Sequence, residues 1–194
     1  MSGRRIVLAS GNAHKAVELA RVLPGWDVQT FGGELPEETG DTFVANALLK
    51  ARHVFAATGG GDWVLADDSG IEAAALGGRP GVRSARYAGE GATDGENLAL
   101  LLREAPTGSP LGYVCALAYA APDGTEHVVV GRCTGTLAAD ARGSGGFGYD
   151  PAFLPDDEIP PPPGRTMAEL TPEEKGAISH RGRAAALLRE HLAR

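Results

Sequence analysis

The sequence predicts an α/β protein built on a mixed β-sheet flanked by helices, and three observations carry that prediction. Short apolar runs at 5–9 and 63–66 are separated by helical periodicity, the alternation that builds a parallel sheet. Two longer β-rich segments, 111–121 and 126–137, flank Pro122-Asp123-Gly124-Thr125, a hairpin signal that adds antiparallel pairing. Helix start signals recur between and after them. A length of 194 residues suits a single domain, 1–194, with a sizeable core.

Taken in order, the first strand at 5–9 runs into Ser10-Gly11-Asn12-Ala13-His14-Lys15. A helix with apolar positions Val17, Leu19 and Leu23 follows and stops at Pro24-Gly25. A strand, a small-residue turn and a helix point backbone N–H groups and a helix N-terminus at an anion. Lys15 adds a full charge, and Asn12 can either cap the helix or contact a ligand. The glycine spacing fits neither a Walker loop nor a dinucleotide fingerprint. Residues 26–31 read as a second strand near an edge, and an acidic loop, 34–41, comes next. A long helix is expected over 42–58, with Asn46 and Lys50 one turn apart on one face.

After the break at 59–61 comes Trp63-Val64-Leu65-Ala66-Asp67-Asp68-Ser69-Gly70, in which a buried strand ends in acid, hydroxyl and glycine. Open α/β sheets place ligand chemistry beyond such strand ends, and acids there suit a hard divalent cation. A polar strand-to-turn transition explains the same residues more plainly. The strand period sends Asp67 and Asp68 to opposite faces, so they are not a convergent pair for sugar hydrolysis. A short extended piece is expected over 71–76, and Thr93-Asp94-Gly95-Glu96 has capping-box spacing ahead of a Leu-rich helix to Glu104.

In the hairpin, alternation of Tyr113, Cys115, Leu117 and Tyr119 implies one packed face and one different face. The loop Gly143-Ser144-Gly145-Gly146-Phe147-Gly148-Tyr149-Asp150-Pro151 lets backbone approach a ligand closely and offers two aromatics that can stack on a base or anchor the loop. Residues 156–164, with four consecutive prolines, form an extended surface loop. Thr171-Pro172-Glu173-Glu174 is a capping box with proline at the first helical position. A second helix begins near Ser179-His180-Arg181-Gly182, where cations oppose the helix dipole unless an anion or polar ligand is present.

Composition sets limits. Hydrophobic content of 43% and charged content of 22% are ordinary for a soluble protein, and no apolar run approaches the ~18 residues of a membrane span. The N-terminus leads straight into a strand instead of a signal-peptide core, and Cys115 and Cys133 read as reduced core residues, so the cytoplasm is expected. A net charge of −7 argues against broad nucleic-acid binding. Among 18 Lys and Arg only Lys15, Lys50 and Lys175 are lysines, the residue that suits phosphate as a compact point charge.

Five motifs appear in order: Ser-Gly-Asn-x-x-Lys at 10–15, Thr-Phe-x-x-Asn-Ala at 42–47, Ala-Asp-Asp-Ser-Gly at 66–70, Gly-Gly-Phe-Gly-Tyr-Asp-Pro at 145–151 and Glu-Lys-x-x-Ile-Ser-His-Arg at 174–181. Together they resemble the inosine triphosphate pyrophosphatase family, the nonstandard purine NTP or dITP/XTP pyrophosphatases. The resemblance spans nearly the whole chain, Pro80-Gly81 and Ser84-Ala85-Arg86-Tyr87 included. It implies Mg²⁺-dependent hydrolysis of ITP, dITP and XTP to the monophosphate and pyrophosphate. The fold it implies is an elongated mixed sheet of two lobes with the site in the cleft between them, usually as a homodimer.

Carried over residue by residue, the resemblance makes Ser10, Gly11, Asn12, Ala13, His14 and Lys15 phosphate contacts, with Lys50 close by. Asp68 becomes the general base and a metal carboxylate, and Ser69 a substrate contact. Glu37 is the second metal carboxylate, with Glu38 one residue away as its alternative. Phe147, Gly148, Tyr149, Asp150, Lys175, His180 and Arg181 form the base pocket, and Asp67 keeps a lesser supporting role. Ser10 stands where many relatives have threonine, which keeps the hydroxyl, and the proline loop is longer than usual. Two other readings stand beside this one. A sensor of purine triphosphates has no use for a base at Asp68. A Maf-type pyrophosphatase fits poorly with the 147–150 and 179–181 segments.

Overall fold

A computed structural model describes residues 4–157 and 163–192. Six strands form one sheet in the order β2-β1-β3-β4-β5-β6, from β1 (Arg4–Ala9), β2 (Trp26–Thr30), β3 (Trp63–Ala73), β4 (Pro110–Ala120), β5 (Glu126–Leu137) and β6 (Phe153–Pro155). β1 pairs in parallel with β2 and with β3, while β5 and β6 are antiparallel, so the sheet is mixed as expected. β2 lies at one edge, as expected, and the short β6 at the other, in a stretch the sequence offered no signal for.

Local signals explain where the helices start. Asn12 caps α1 (Ala13–Val22) by accepting from the His14 and Lys15 amides at 2.9 and 3.3 Å. Thr42 caps α2 (Phe43–Ala57), and complete capping boxes open α3 (Asp94–Glu104) and α4 (Pro172–Ile178). α5 (His180–Leu192) begins immediately after the Ser179 cap of α4. In the hairpin, the Ala121 amide donates to the Thr125 carbonyl at 2.9 Å, and Gly124 takes a φ of 86° that other residues resist.

The chain divides into two compact units. The first comprises Met1–Asp68, Cys115–Gly131 and Arg181–Arg194; the second comprises Ser69–Val114 and Arg132–His180. β3, β4 and β5 each contribute residues to both. The core of the first unit gathers Ile6, Leu8, Leu19, Leu65, Leu117 and Leu188, with Trp26 edge-to-face on Trp63 at 5.5 Å. The second unit buries Ile71, Leu101, Tyr113, Leu137, Phe153 and Met167. Cys115 and Cys133 are buried and neither forms a disulfide, as their placement in strands implied. Along β4, Val114, Ala116 and Ala118 are as buried as Cys115 and Leu117, so both faces of this strand are covered, not one alone. No helix among the described residues is long and apolar enough to cross a membrane. The extended loop expected at 156–164 falls partly on 158–162, outside the described residues.

One expectation is corrected. β3 does not end at the acids: it runs for 11 residues through Asp67-Asp68-Ser69-Gly70 to Ala73. Gly70 is there for close approach, not for a turn. A Cβ on it would lie 2.3 Å from Ser84 Oγ and 2.6 Å from the Gly81 carbonyl oxygen, because the 3-10 turn Gly81–Arg86 sits against the strand. The Ile71 amide donates to Ser84 Oγ at 2.9 Å in the same contact. Gly70→Ala is therefore expected to cost about 2–3 kcal/mol through overpacking against backbone. Urea unfolding checks this, and an unchanged midpoint would remove the close-packing account.

Candidate active site

The strand period places the two acids of β3 in different company. Asp68, buried in the first unit, receives Lys50 Nζ at 3.0 Å on Oδ1 and Asn46 Nδ2 at 3.2 Å on Oδ2. Lys50 Nζ also donates to the Asp67 carbonyl at 2.8 Å and to Glu38 Oε1 at 2.5 Å. Asn46 and Lys50 lie four residues apart on α2, so one helical face delivers both. Lys50 alone would pass for a solvent-facing helix lysine, yet it is 4% exposed. The Gly40 amide donates to Asn46 Oδ1 at 2.7 Å, tying the acidic loop to that face.

Burial pushes the Asp68 carboxyl above the usual range; Lys50 pulls it down and the negative charge of Glu38 pushes it up again. Burial alone would lower Lys50, but Asp68 and Glu38 outweigh it and hold the ammonium charged. The pairing with Lys50 thus fixes Asp68 in place without making it a weak base.

Asp67 belongs to a different network of the same unit. Its Oδ1 receives Lys15 Nζ at 2.6 Å, and its Oδ2 receives Arg181 Nε at 2.8 Å and the Cys115 thiol at 3.2 Å. Arg181 Nη1 pairs with Glu18, three residues along α1 from Lys15. Asp67 has no exposed surface; burial would raise its pKa, but Arg181 and then Lys15 hold it well below the usual carboxylate range. The same burial, with the Asp67 charge beside it, pushes the Cys115 thiol well up, so it stays a neutral donor. Arg181, assigned above to the base pocket, has its guanidinium on these two carboxylates and is 1% exposed. Consecutive residues of a helix point about 100° apart, which is why Arg181 and its neighbour His180 serve different groups.

The Ser10–Lys15 turn offers less backbone than its sequence promised. The His14 and Lys15 amides are taken by the Asn12 side chain and the Asn12 amide by Ser10 Oγ at 3.2 Å. Ser10 is buried, Gly11, Ala13 and His14 are exposed, and nothing lies within 4 Å of a Cβ built on Gly11. The Lys15 ammonium is thus the main charge of the turn. Ser69, half-buried, follows Asp68 on β3.

In the second unit, Asp150 organises a separate group. Its Oδ2 receives Lys175 Nζ at 2.5 Å and the Phe147 amide at 2.9 Å, and its Oδ1 receives the Tyr113 hydroxyl at 3.1 Å. Gly146, at φ 68°, leaves room for the carboxylate: a Cβ there would lie 2.1 Å from Asp150 Oδ2. Lys175 Nζ stands 5.0 Å from the centroid of the half-buried Phe147 ring. The Gly148 amide donates to Asp94 Oδ2 at 2.9 Å. His180 stacks on Tyr113 with ring centroids 4.5 Å apart and planes 7° from parallel. Tyr149 is a core residue whose hydroxyl donates to the Ser84 carbonyl at 2.7 Å, so of the two loop aromatics it is the anchor.

The two neighbouring glutamates of the acidic loop have different surroundings. Glu38 reaches Lys50 beside Asp68, whereas Glu37, the residue named for the metal, is exposed; in a segment without helix or strand the two neighbours diverge. Glu38 Oε1, Asp68 Oδ1 and the Asp67 carbonyl converge on a single ammonium, an all-oxygen arrangement around a cation. Among the described residues no group of three or more His, Cys, Asp or Glu assembles. A cation held wholly by side chains does not suit this set, but Mg²⁺, which takes one or two carboxylates and leaves the rest to water and phosphate, fits it. Glu18, Cys115 and Tyr113 were missed as site residues. Only Glu18 had a signal, its helical spacing from Lys15.

Residues 6–191 match the model of the Ham1 family. A dITP/XTP pyrophosphatase of Cutibacterium acnes is 50% identical over 192 residues, covering 93% of this chain and 92% of that protein. One of Salmonella paratyphi A is 48% identical over 200 residues, covering 97% and 98%. Among solved structures, the Staphylococcus aureus Ham1 protein superposes with a TM-score of 0.82 at 37% identity over 98% of both chains. A nucleoside-triphosphatase / dITP/XTP pyrophosphatase of Mycobacterium abscessus gives 0.70 at 44% identity over 95% and 98%. The resemblance carried by the five motifs is thereby borne out across the chain, and this protein belongs to the Ham1 family.

Proposed function

We propose that this protein hydrolyses nonstandard purine nucleoside triphosphates, dITP, XTP and ITP, to the monophosphate and pyrophosphate, clearing them from the cytoplasmic nucleotide pool. The observation that carries this reading is Asp68: a buried carboxylate kept basic by its surroundings yet fixed by Lys50 and Asn46. The names of the relatives, dITP/XTP pyrophosphatases, support the substrate class.

In the proposed reaction, a water oxygen bonds to the α-phosphorus as the bond to the bridging oxygen breaks, and pyrophosphate departs with that bridging oxygen. Asp68 takes the proton the water loses, a role for which a raised pKa improves the driving force. Lys15 and Lys50 neutralise the triphosphate as point charges, since phosphoryl transfer depends mainly on positioning and electrostatics. Glu38 and Asp68 would hold Mg²⁺, whose chemistry when bound is to neutralise phosphate charge and acidify the attacking water. Lys175 and His180 read the base by donating to a 6-oxo group. Adenine, whose 6-position is itself a donor, leaves buried donors unpaired there. The same reading carries a homodimer, which sedimentation would register as twice the 20.0 kDa chain mass.

The test is pyrophosphate release with Mg²⁺ from ITP, XTP, dITP, dATP and dTTP. The 6-oxopurines are expected to exceed dATP in kcat/KM by roughly 10²–10⁴-fold, from what a shape-fitting pocket achieves to the lower end of what a site built to hydrogen-bond its substrate achieves. Absence of turnover on all three 6-oxopurines would sink the enzymatic reading, and equal rates on dATP would remove the base selection.

A further inference from the structure

Tyr113 lies on β4, outside every motif, and at first sight it is an ordinary core aromatic: it is 6% exposed and packs on Phe153 with centroids 4.7 Å apart. Two of its contacts have another character. Its hydroxyl donates to Asp150 Oδ1 at 3.1 Å, and its ring lies parallel to the His180 imidazole at 4.5 Å. One side chain thus touches the carboxylate that holds Lys175 and the imidazole beside it.

We propose that Tyr113 is a positioning residue for base selection, setting how much of the Lys175 ammonium and which orientation of the His180 ring are offered to the 6-oxo group. The proposal rests on the reading of Lys175 and His180 as donors to the base. Asp150 is 2% exposed and must satisfy both carboxylate oxygens inside the protein. Oδ2 already receives Lys175 Nζ and the Phe147 amide, and Oδ1 receives Tyr113. Taking the hydroxyl away removes one donor from this carboxylate, and the Lys175 ammonium, three N–H groups on a flexible stem already bonded to Oδ2, is near enough to replace it. Lys175 then turns further toward Asp150 and donates less to the base. The carboxylate is charged, so the hydrogen bond from Tyr113 is of the stronger class.

The ring contributes separately. An imidazole with one face against a parallel phenol ring can rotate only in that plane, which limits the directions its two nitrogens reach. Tyr113→Phe removes the hydroxyl and keeps the stack and the packing on Phe153; Tyr113→Leu removes both.

The experiment measures kcat and KM for ITP and dATP, with calorimetric binding of IMP and AMP, in the wild type, Tyr113→Phe and Tyr113→Leu. Tyr113→Phe is expected to fold with a near-wild-type thermal midpoint, keep kcat within about twofold, and raise KM for ITP and the Kd of IMP about tenfold, the loss of one hydrogen bond to a charged group. Parameters for dATP and AMP stay put, so discrimination narrows by the same about tenfold. Tyr113→Leu loses more discrimination, and Phe at the position restores the part due to the stack. Wild-type discrimination in Tyr113→Phe would overturn the proposal. So would a uniform fall in kcat on both substrates that tracks lost thermal stability, the signature of a purely structural tyrosine. If the wild type itself fails to separate IMP from AMP, the donor assignment of Lys175 and His180 fails and the proposal falls with it. Separation by the wild type with no effect of Tyr113→Phe condemns the tyrosine alone.

Discussion

Asp68→Asn is expected to lower kcat for ITP by about 10³–10⁴-fold, the upper range for removing a general base, while ITP binding changes by less than about tenfold. The amide occupies the same volume, and its oxygen can still accept from Lys50, where the carboxylate now accepts at 3.0 Å. Glu38 remains on the same ammonium at 2.5 Å, so the lysine is not left as an uncompensated buried charge and the fold is retained. What disappears is the proton acceptor, and with it one of the two carboxylates available to a cation. Single-turnover pyrophosphate release, read beside calorimetric ITP binding, separates chemistry from affinity. A variant retaining more than a tenth of the wild-type kcat would remove Asp68 from the role of base. Asp67→Asn makes an instructive contrast, because that carboxylate is committed to Lys15, Arg181 and the Cys115 thiol and its loss bears on the fold first.

The residues that were legible in the sequence are those whose meaning is local. Thr93 and Thr171 mark helix starts because a cap is a contact within four residues, and both cap as their spacing implies; Thr42, at the start of the expected 42–58 helix, caps as well. The strand period separated Asp67 from Asp68, and the helix period put Asn46 and Lys50 on one face. The sequence is less legible where a distant segment decides. Gly70 looked like punctuation, but its lack of a side chain answers to Ser84 and the Gly81 carbonyl. Glu37 and Glu38 could not be told apart in a loop without a period to assign sides. Arg181 travels in a motif with His180, which groups it with the base contacts, and nothing near it in the chain announces that its guanidinium meets carboxylates on β3 and α1. Tyr113 is, by its sequence, one member of an alternating strand; nothing near it in the chain announces Asp150, 37 residues away.

Those two carboxylates make Arg181 the subject of the largest expected stability effect. Arg181 and Asp67 are 1% and 0% exposed; Asp67 is met by Arg181, Lys15 and the Cys115 thiol, and Arg181 by Asp67 and Glu18. Breaking such a pair from one side leaves a buried charge short of its partner, so Arg181→Leu is expected to destabilise the protein by about 3–5 kcal/mol in urea unfolding. Leucine is also smaller, and the void it leaves adds to the cost. Pairing Asp67→Asn with Arg181→Leu removes the orphaned charge, so the double variant should recover at least about 1 kcal/mol relative to the sum of the singles. The pH dependence has a definite sign. Because Asp67 is held below its unfolded-state value, its contribution is fully present above the ordinary aspartate pKa, ~3.9, and is lost as pH falls through the lower folded-state value. The acid loss of stability should therefore be shallower in Asp67→Asn than in the wild type. A cost below about 1 kcal/mol for Arg181→Leu, or strict additivity in the double variant, would show that the Asp67 carboxylate is stabilised by something other than this guanidinium.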